Sequence, residues 1–193
     1  MIDDVCVIFA GGRSSRMGRD KALLPFAGYN TLTEYQYRRL QKIFRSVYIS
    51  CKDRSKFDFE ADFIEDIPSQ EYAPTNGFLA LFQQLEYEHF FVLSVDTPFV
   101  TEEEFVALFK SDTQRVDATI AKTESGIQPM CGIYHRSLEG QFLKSAKEGN
   151  HKLTYLLQSS KTNFVDLSSE RFMNLNYEDQ YKKALQQIKK EKI

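Results

Sequence analysis

Val5-Cys-Val-Ile-Phe9, Ala10-Gly-Gly12, Arg13-Ser-Ser-Arg16, Met17-Gly18, Arg19-Asp-Lys21, Ala22-Leu-Leu-Pro25 is the stretch on which the reading of this chain turns. The first five residues form a short apolar run rich in β-branched side chains, the pattern of a buried strand. Gly11 and Gly12 follow at once and let another group approach the main chain closely. Bare N–H groups in such a turn can face an anion, and Arg16 and Lys21 are placed to add positive charge. The residues alone leave two readings: an ordinary turn with solvated cations, or a phosphate-binding loop at the carboxyl end of a first strand. The spacing is neither Gly-x-Gly-x-x-Gly nor that of a P-loop ending in Gly-Lys-Ser/Thr.

Outward from this loop, apolar strands and helical spacings alternate. A helix is expected over Thr33–Phe44 and a second strand over Ser46–Cys51, which together with the first make a βαβ unit. A third strand, Asp62–Asp66, ends in carboxylates. The next helix is expected over Gly77–Leu85, capped by Thr75 or Asn76. Phe90–Val95, the most hydrophobic run, reads as a central strand buried on both faces. Thr101 and Glu104 form a capping box for a helix over Glu102–Lys110. Strands over Ala118–Lys122 and Cys131–His135 can pair as a hairpin across a turn over Glu124–Pro129. A helix capped by Ser137, a short helix over Lys152–Leu157, an edge strand over Asn163–Asp166 and a final helix over Tyr177–Lys190 complete the chain. This alternation argues an α/β fold: three layers, α/β/α, around a mostly parallel sheet, with residues 1–193 as a single domain.

The 193 residues allow a core of ordinary size, and 42% hydrophobic with 27% charged residues suits a globular protein. No run approaches the length of a membrane span, and the acidic start, Met1-Ile-Asp-Asp4, is no signal peptide. Cys6, Cys51 and Cys131 are far apart and odd in number. They read as buried thiols in a reducing compartment, so a cytoplasmic location is expected. The net charge of −2 argues against general nucleic-acid binding. Its distribution is uneven: residues 1–56 carry +6, residues 57–113 carry −12 and the remainder +4. A basic first third suits a polyphosphate ligand, and the acidic middle is either a solvated face or a metal holder.

Ligands of open α/β sheets lie outside the carboxyl ends of the strands, where the glycine loop, Asp66 and Asp96 are all expected. Asp96, before Pro98, is either a turn-former or a metal ligand. Asp66 has the ordinary reading of a strand-terminal surface acid. Asn174 and Asn176 have the ordinary reading of turn and cap residues.

The string Ala10-Gly-Gly-x-Ser-x-Arg16-Met-Gly-x-Asp-Lys21-Ala-Leu-Leu-Pro25 resembles the signature of nucleotidyltransferases that transfer NMP from an NTP and release pyrophosphate. With so short a chain, Arg-Met-Gly-x-Asp-Lys is most similar to the molybdenum cofactor guanylyltransferases. The resemblance implies a Rossmann-like nucleotidyltransferase sheet. It implies a nucleotide site at Phe9, Ala10, Gly11, Gly12, Lys21, Asp66, Gly77 and Asp96, with Arg16, Lys21 and Asp96 catalytic. Ser94-Val-Asp96-Thr-Pro98 resembles the family's metal-binding motif, with Mg²⁺ the implied ion and Asp96 its ligand. Glu65-Asp66-Ile-Pro matches a position near guanine, and Gly77 a glycine at a helix start whose N–H faces the nucleotide. Where the family has a second glycine one turn later, Leu81 stands here. Asn174, Asn176 and Pro129 fall at positions near the second substrate, and Arg13, Arg19 and Lys56 are candidates for that substrate's phosphate.

GTP and molybdopterin, or the molybdenum cofactor, are the implied substrates, with cofactor-inserting proteins or molybdoenzymes as further partners. Transfer to the pterin by a cytidylyltransferase, a sugar-phosphate nucleotidylyltransferase, and a non-catalytic GTP-binding delivery protein are the competing expectations.

Overall fold

A computed structural model of the chain describes residues 1–11, 18–66 and 73–191. Seven strands form one sheet: β1 (Ile2–Phe9), β2 (Phe44–Cys51), β3 (Asp62–Glu65), β4 (His89–Ser94), β5 (Ala118–Thr123), β6 (Gly126–His135) and β7 (Thr162–Asp166). Six helices accompany them: α1 (Leu32–Leu40), α2 (Pro74–Gln84), α3 (Glu102–Ser111), α4 (Glu139–Lys147), α5 (Leu153–Gln158) and α6 (Glu178–Glu191). The strand order is β3-β2-β1-β4-β6-β5-β7. β1, β2, β3 and β4 run parallel, as do β5 and β7, and β6 runs antiparallel to both its neighbours. The sheet is thus mostly parallel, and the expected hairpin of β5 and β6 forms.

Strand periodicity decides the layers. Cys6 and Ile8 face one core with α1, α3 and α6; Val5, Val7 and Phe9 face a second core with α2, α4 and α5. On β4, Phe91 and Leu93 join the first core, and Phe90 and Val92 the second. β4 is the middle strand and its four apolar residues are fully buried, which is why the run from Phe90 is uniformly hydrophobic.

Several local expectations shift. α1 ends at Leu40, and Phe44 opens β2 rather than closing the helix. Its ring instead packs on Phe91 and Phe105 at 5.4 and 5.3 Å. α2 begins at Pro74, so Thr75 and Asn76 lie inside its first turn and Ala73 holds the cap position. Proline suits that start because its missing N–H has no partner there in any case. Ser137 does not cap α4; it lies in a 3₁₀ turn and its hydroxyl donates to Asp117 Oδ1 at 2.7 Å. The Thr101 capping box is present, with the Glu104 carboxylate accepting the Thr101 N–H at 2.7 Å.

Pro129 is not in a turn but inside β6. β4 pairs β6 only from Cys131 onward, and the β5 register shifts opposite this stretch, so the absent N–H breaks no ladder bond. Gly132, not singled out in the sequence, is required by close packing: a Cβ there would sit 2.4 Å from the Thr119 carbonyl oxygen of β5. The three cysteines are free and buried as expected, and burial pushes the Cys51 thiol up to about 12. Among the described residues no helix is long and apolar enough to cross a membrane.

Candidate active site

The chain leaves β1 for β2 on one side of it and, after β3, crosses back through α2 to β4 on the other. Between β1 and β4 the strand order therefore reverses, and a crevice opens at their carboxyl ends. The register aligns those ends: Phe9 lies opposite Ser50 and Ser94, and Cys51 opposite Glu65. Gly11, Lys52, Asp66 and Asp96 thus leave the sheet along one edge. Their backbones are tied across it. Ala10 N–H donates to Ser50 O at 2.9 Å, Asp66 N–H to Cys51 O at 2.8 Å, and Val95 N–H to Phe9 O at 3.1 Å.

Among the described residues, two adjoining pockets lie along this edge. The first, about 190 Å³, is lined by Phe9, Gly11, Ser50, Lys52, Asp66 and Gly77 among others, with Ser94 and Met130 at its far side. The second, about 250 Å³, shares Ser94 and Met130 and adds Asp96, Pro129, Asn174 and Asn176. Of the expected nucleotide site, Phe9, Gly11, Asp66 and Gly77 line the first pocket, while Asp96 lines the second beside Pro129, Asn174 and Asn176; Ala10 and Lys21 line neither.

Asp66 lines the first pocket. Burial pushes its carboxyl above the usual range, while a bond from the Ser50 hydroxyl (3.3 Å) and the Lys52 charge pull it back. Gly77, in the first turn of α2, has no room for a side chain: a Cβ would lie 2.7 Å from the Phe9 ring and 3.0 Å from Ser50 Oγ. Gly77→Ala should push α2 off β1, lower stability by about 1–3 kcal/mol and narrow the first pocket. Thermal unfolding with and without nucleotide checks this; an unchanged melting temperature and an unchanged ligand shift would show that the contact yields freely.

Lys21 and Asp96 meet beside the shared wall. Lys21 Nζ donates to Asp96 Oδ2 at 2.5 Å and to Asn176 Oδ1 at 2.9 Å, and the Ser94 hydroxyl donates to Asp96 Oδ1 at 2.6 Å. The pair is mostly shielded, with side-chain exposures of 18% and 14%. Lys21 opens a 3₁₀ turn (Lys21–Leu23) capped by Asp20, and that turn is held by the Thr33 hydroxyl on Ala22 O at 2.8 Å. Leu175 is buried and its N–H donates to Asp96 O at 2.9 Å, while Asn174 and Asn176 line the second pocket. The expected cap role of Asn176 gives way to this contact: its side-chain oxygen serves Lys21, and Gln180 accepts the Asn176 and Tyr177 N–H groups at the start of α6.

Sequence reasoning missed the support beneath the loop after β4. Gln36 Nε2 donates to Val95 O at 3.3 Å, and Arg39 donates to Val100 O at 2.5 Å. Both side chains come from the inner face of α1, and burial lowers the Arg39 guanidinium from its ordinary value. Tyr181 of α6 bonds Pro25 O and so anchors the far end of the glycine-loop segment. Polar residues in an amphipathic helix carry no periodic signal that distinguishes a buried carbonyl clamp from a wet face.

Gly12, Arg13 and Arg16 lie outside the described residues. Arg19 and Lys56 line neither pocket; they form ion pairs with Glu178 (3.1 Å) and Asp20 (3.6 Å).

A mostly parallel sheet that sets a lysine, an aspartate and a glycine turn along its carboxyl edge, beside paired pockets, defines an enzyme of the nucleotidyltransferase class. The chain belongs to the MobA-like NTP transferase domain family, whose sequence profile matches residues 6–163. It is 36% identical over 186 residues to the molybdenum cofactor guanylyltransferase of Campylobacter jejuni subsp. doylei, covering 95% of this chain and 96% of that one. It is 30% identical over 197 residues to the protein of the same name from Helicobacter pylori, covering 98% and 96%. Among solved structures, molybdopterin-guanine dinucleotide biosynthesis protein A from Archaeoglobus fulgidus superposes with a TM-score of 0.79 at 22% identity, covering 96% of this chain and 99% of that one. The 4-diphosphocytidyl-2C-methyl-D-erythritol synthase of Anaerococcus prevotii superposes at 0.72 with 11% identity, covering 97% and 99%. The last two likenesses establish the fold, which proteins named for different nucleotides share.

Proposed function

We propose that the chain, as one domain over residues 1–193, transfers GMP from GTP to the terminal phosphate of molybdopterin or the molybdenum cofactor. That phosphate attacks the α-phosphorus of GTP, the bond to the β-phosphate oxygen breaks, and pyrophosphate leaves. The observation that carries the reading is the common wall at Ser94 and Met130, beside the Lys21–Asp96 pair. One pocket has Asp66 for a base, the other has Pro129, Asn174 and Asn176 for a second substrate, and charged groups stand between. The identities to the Campylobacter and Helicobacter guanylyltransferases support the same assignment.

The attacking group is already an anion, so no strong general base is required. Orientation and charge neutralisation supply the rate. Lys21 stabilises negative charge that builds on the phosphates, and Asn176 orients its ammonium. Phe9 and Gly11 line the pocket in which the nucleoside rests, Ala10 joins them along the chain, and Gly12 and Arg16 belong to the proposed phosphate loop. The oxygen donors of Asp96 and Asn176 suit Mg²⁺, which needs only one or two carboxylates beside phosphate oxygens. Among the described residues no group of three or more His, Cys, Asp or Glu is arranged to hold a metal; Asp96 would hold the ion together with phosphate oxygens of the nucleotide. Mg²⁺ supplies Lewis-acid neutralisation of the phosphate oxygens.

Asp66 should select guanine because a carboxylate accepts from N1–H and the 2-amino group together, an edge cytosine lacks. In a thermal-shift comparison GTP should stabilise the protein and CTP should not. Saturation at 100 times the dissociation constant corresponds to about 2.7 kcal/mol. Asp66→Ala should erase the difference. The GTP shift should also shrink as pH falls through the raised Asp66 pKa, since only the carboxylate accepts both bonds. Equal shifts with GTP and CTP in the unmodified protein would move the assignment to a cytidylyl or sugar-phosphate transferase.

A further inference from the structure

We propose that Lys52 is a specificity-determining residue for the base, its ammonium donating to O6 of the guanine whose N1–H and 2-amino group Asp66 accepts. The inference rests on the guanylyltransferase reading and deepens it. Asp66 can only accept hydrogen bonds when ionised, so it leaves the one acceptor on guanine's pairing edge unmatched. The neighbouring position supplies the missing donor. Among the described residues lining the first pocket Lys52 is the one cation, and it lies half-buried there. The placement follows from sheet register. β2 and β3 are parallel with Cys51 opposite Glu65, so Lys52 and Asp66 emerge side by side, locked by the Asp66 N–H bond to Cys51 O. Both border the same gap over the β1 loop: a Cβ on Gly11 would lie 3.8 Å from Asp66 Oδ2 and 3.9 Å from Lys52 N. Burial disfavours the Asp66 carboxylate, and the Lys52 charge is one of the two influences that restore it.

A donor beside an acceptor also explains rejection of other bases. Adenine presents an amino group where Lys52 needs an acceptor, and cytosine does the same. Uracil presents a carbonyl where Asp66 needs a donor. Lysine donation to O6 is a common form of guanine readout.

Lys52 also borders a small recess of about 30 Å³ with Gly11 and Lys56, where it would instead meet a phosphate. The experiment separates the two. Affinities of GTP, 6-thio-GTP and ITP are measured by calorimetry for the full chain, for Lys52→Met and for Lys52→Arg. 6-thio-GTP weakens only the O6 acceptor, and ITP lacks only the 2-amino group. The unmodified protein should prefer GTP to 6-thio-GTP by about ten-fold, the scale of one good base contact. Lys52→Met should bring the two within about two-fold while keeping the preference for GTP over ITP, which belongs to Asp66. Lys52→Arg should retain the O6 preference. If Lys52→Met keeps the full preference for GTP over 6-thio-GTP, or weakens all three nucleotides equally, Lys52 does not read the base. Failure of the underlying reading shows separately, as an unmodified protein that binds CTP as well as GTP.

Discussion

Asp96→Asn should nearly abolish pyrophosphate release while leaving GTP binding in place. The substitution keeps the shape and one oxygen but removes the charge. Mg²⁺ dehydrates reluctantly and relies on one or two carboxylates, so losing the one that this site offers is severe. The proposed function puts base and sugar contacts in the first pocket, which Asp96 does not line, so affinity for GTP should fall far less than turnover. Added Mg²⁺ should restore only part of the activity. The variant also takes a counter-charge from Lys21, whose ammonium then keeps Asn176 and loses a 2.5 Å ion-paired bond. A modest loss of thermal stability without ligand is therefore expected, recovered when GTP brings phosphate charge to the same lysine. The measurement is pyrophosphate release beside GTP affinity across a Mg²⁺ titration in both proteins. Normal turnover at ordinary Mg²⁺ would return Asp96 to the role of a turn residue before Pro98.

Lys21→Ala should cut turnover by on the order of 10²–10³, the scale of removing one preorganised transition-state donor. It differs from the Asp96 variant in its signature. In the proposed function Lys21 contacts phosphate in the ground state too, so KM for GTP should rise as kcat falls, and added Mg²⁺ should not rescue it. The 3₁₀ turn that carries Lys21 is anchored independently by Asp20 and Thr33, so the fold should survive. Circular dichroism and a melting curve establish that survival. Steady-state kinetics on the folded variant then decide the role, and near-normal turnover would place Lys21 among solvated surface cations.

The contrast between these two residues bears on what the Lys21–Asp96 bond does before substrate arrives. Two opposite charges held at 2.5 Å in a mostly shielded place are already desolvated and oriented. Part of the reorganisation that phosphate binding would otherwise require is thereby complete in the free protein. Asn176 fixes the lysine from the far side, and Leu175 secures the asparagine through its bond to Asp96 O. The C-terminal segment is in this way a structural part of a centre whose other members come from the glycine-loop segment and from β4.

The strand ends were legible in the sequence because local signals coincide there: an apolar run, then glycine or a carboxylate. That coincidence placed Phe9, Ala10, Gly11, Asp66 and Asp96 at one edge, once alternation of strands and helices implied a parallel arrangement. The central position of β4 was legible for the same reason, since burial on both faces leaves Phe90, Phe91, Val92 and Leu93 without a polar residue among them. Period and punctuation are properties of neighbours along the chain, and a sequence displays them directly. Contacts between distant segments leave no such trace. That Lys21 bonds Asn176, 155 residues away, and that Gln36 and Arg39 hold the loop after β4 required the packed helices. So did the true setting of Pro129, which is permitted inside β6 because β4 has already ended opposite it. Gly132 is a glycine only because β5 passes too close for a methyl group. The residues flanking the Lys21–Asp96 pair were therefore determined by the sequence through its local pattern, and their partners by tertiary packing, which alone brings the charged groups within a hydrogen bond of one another.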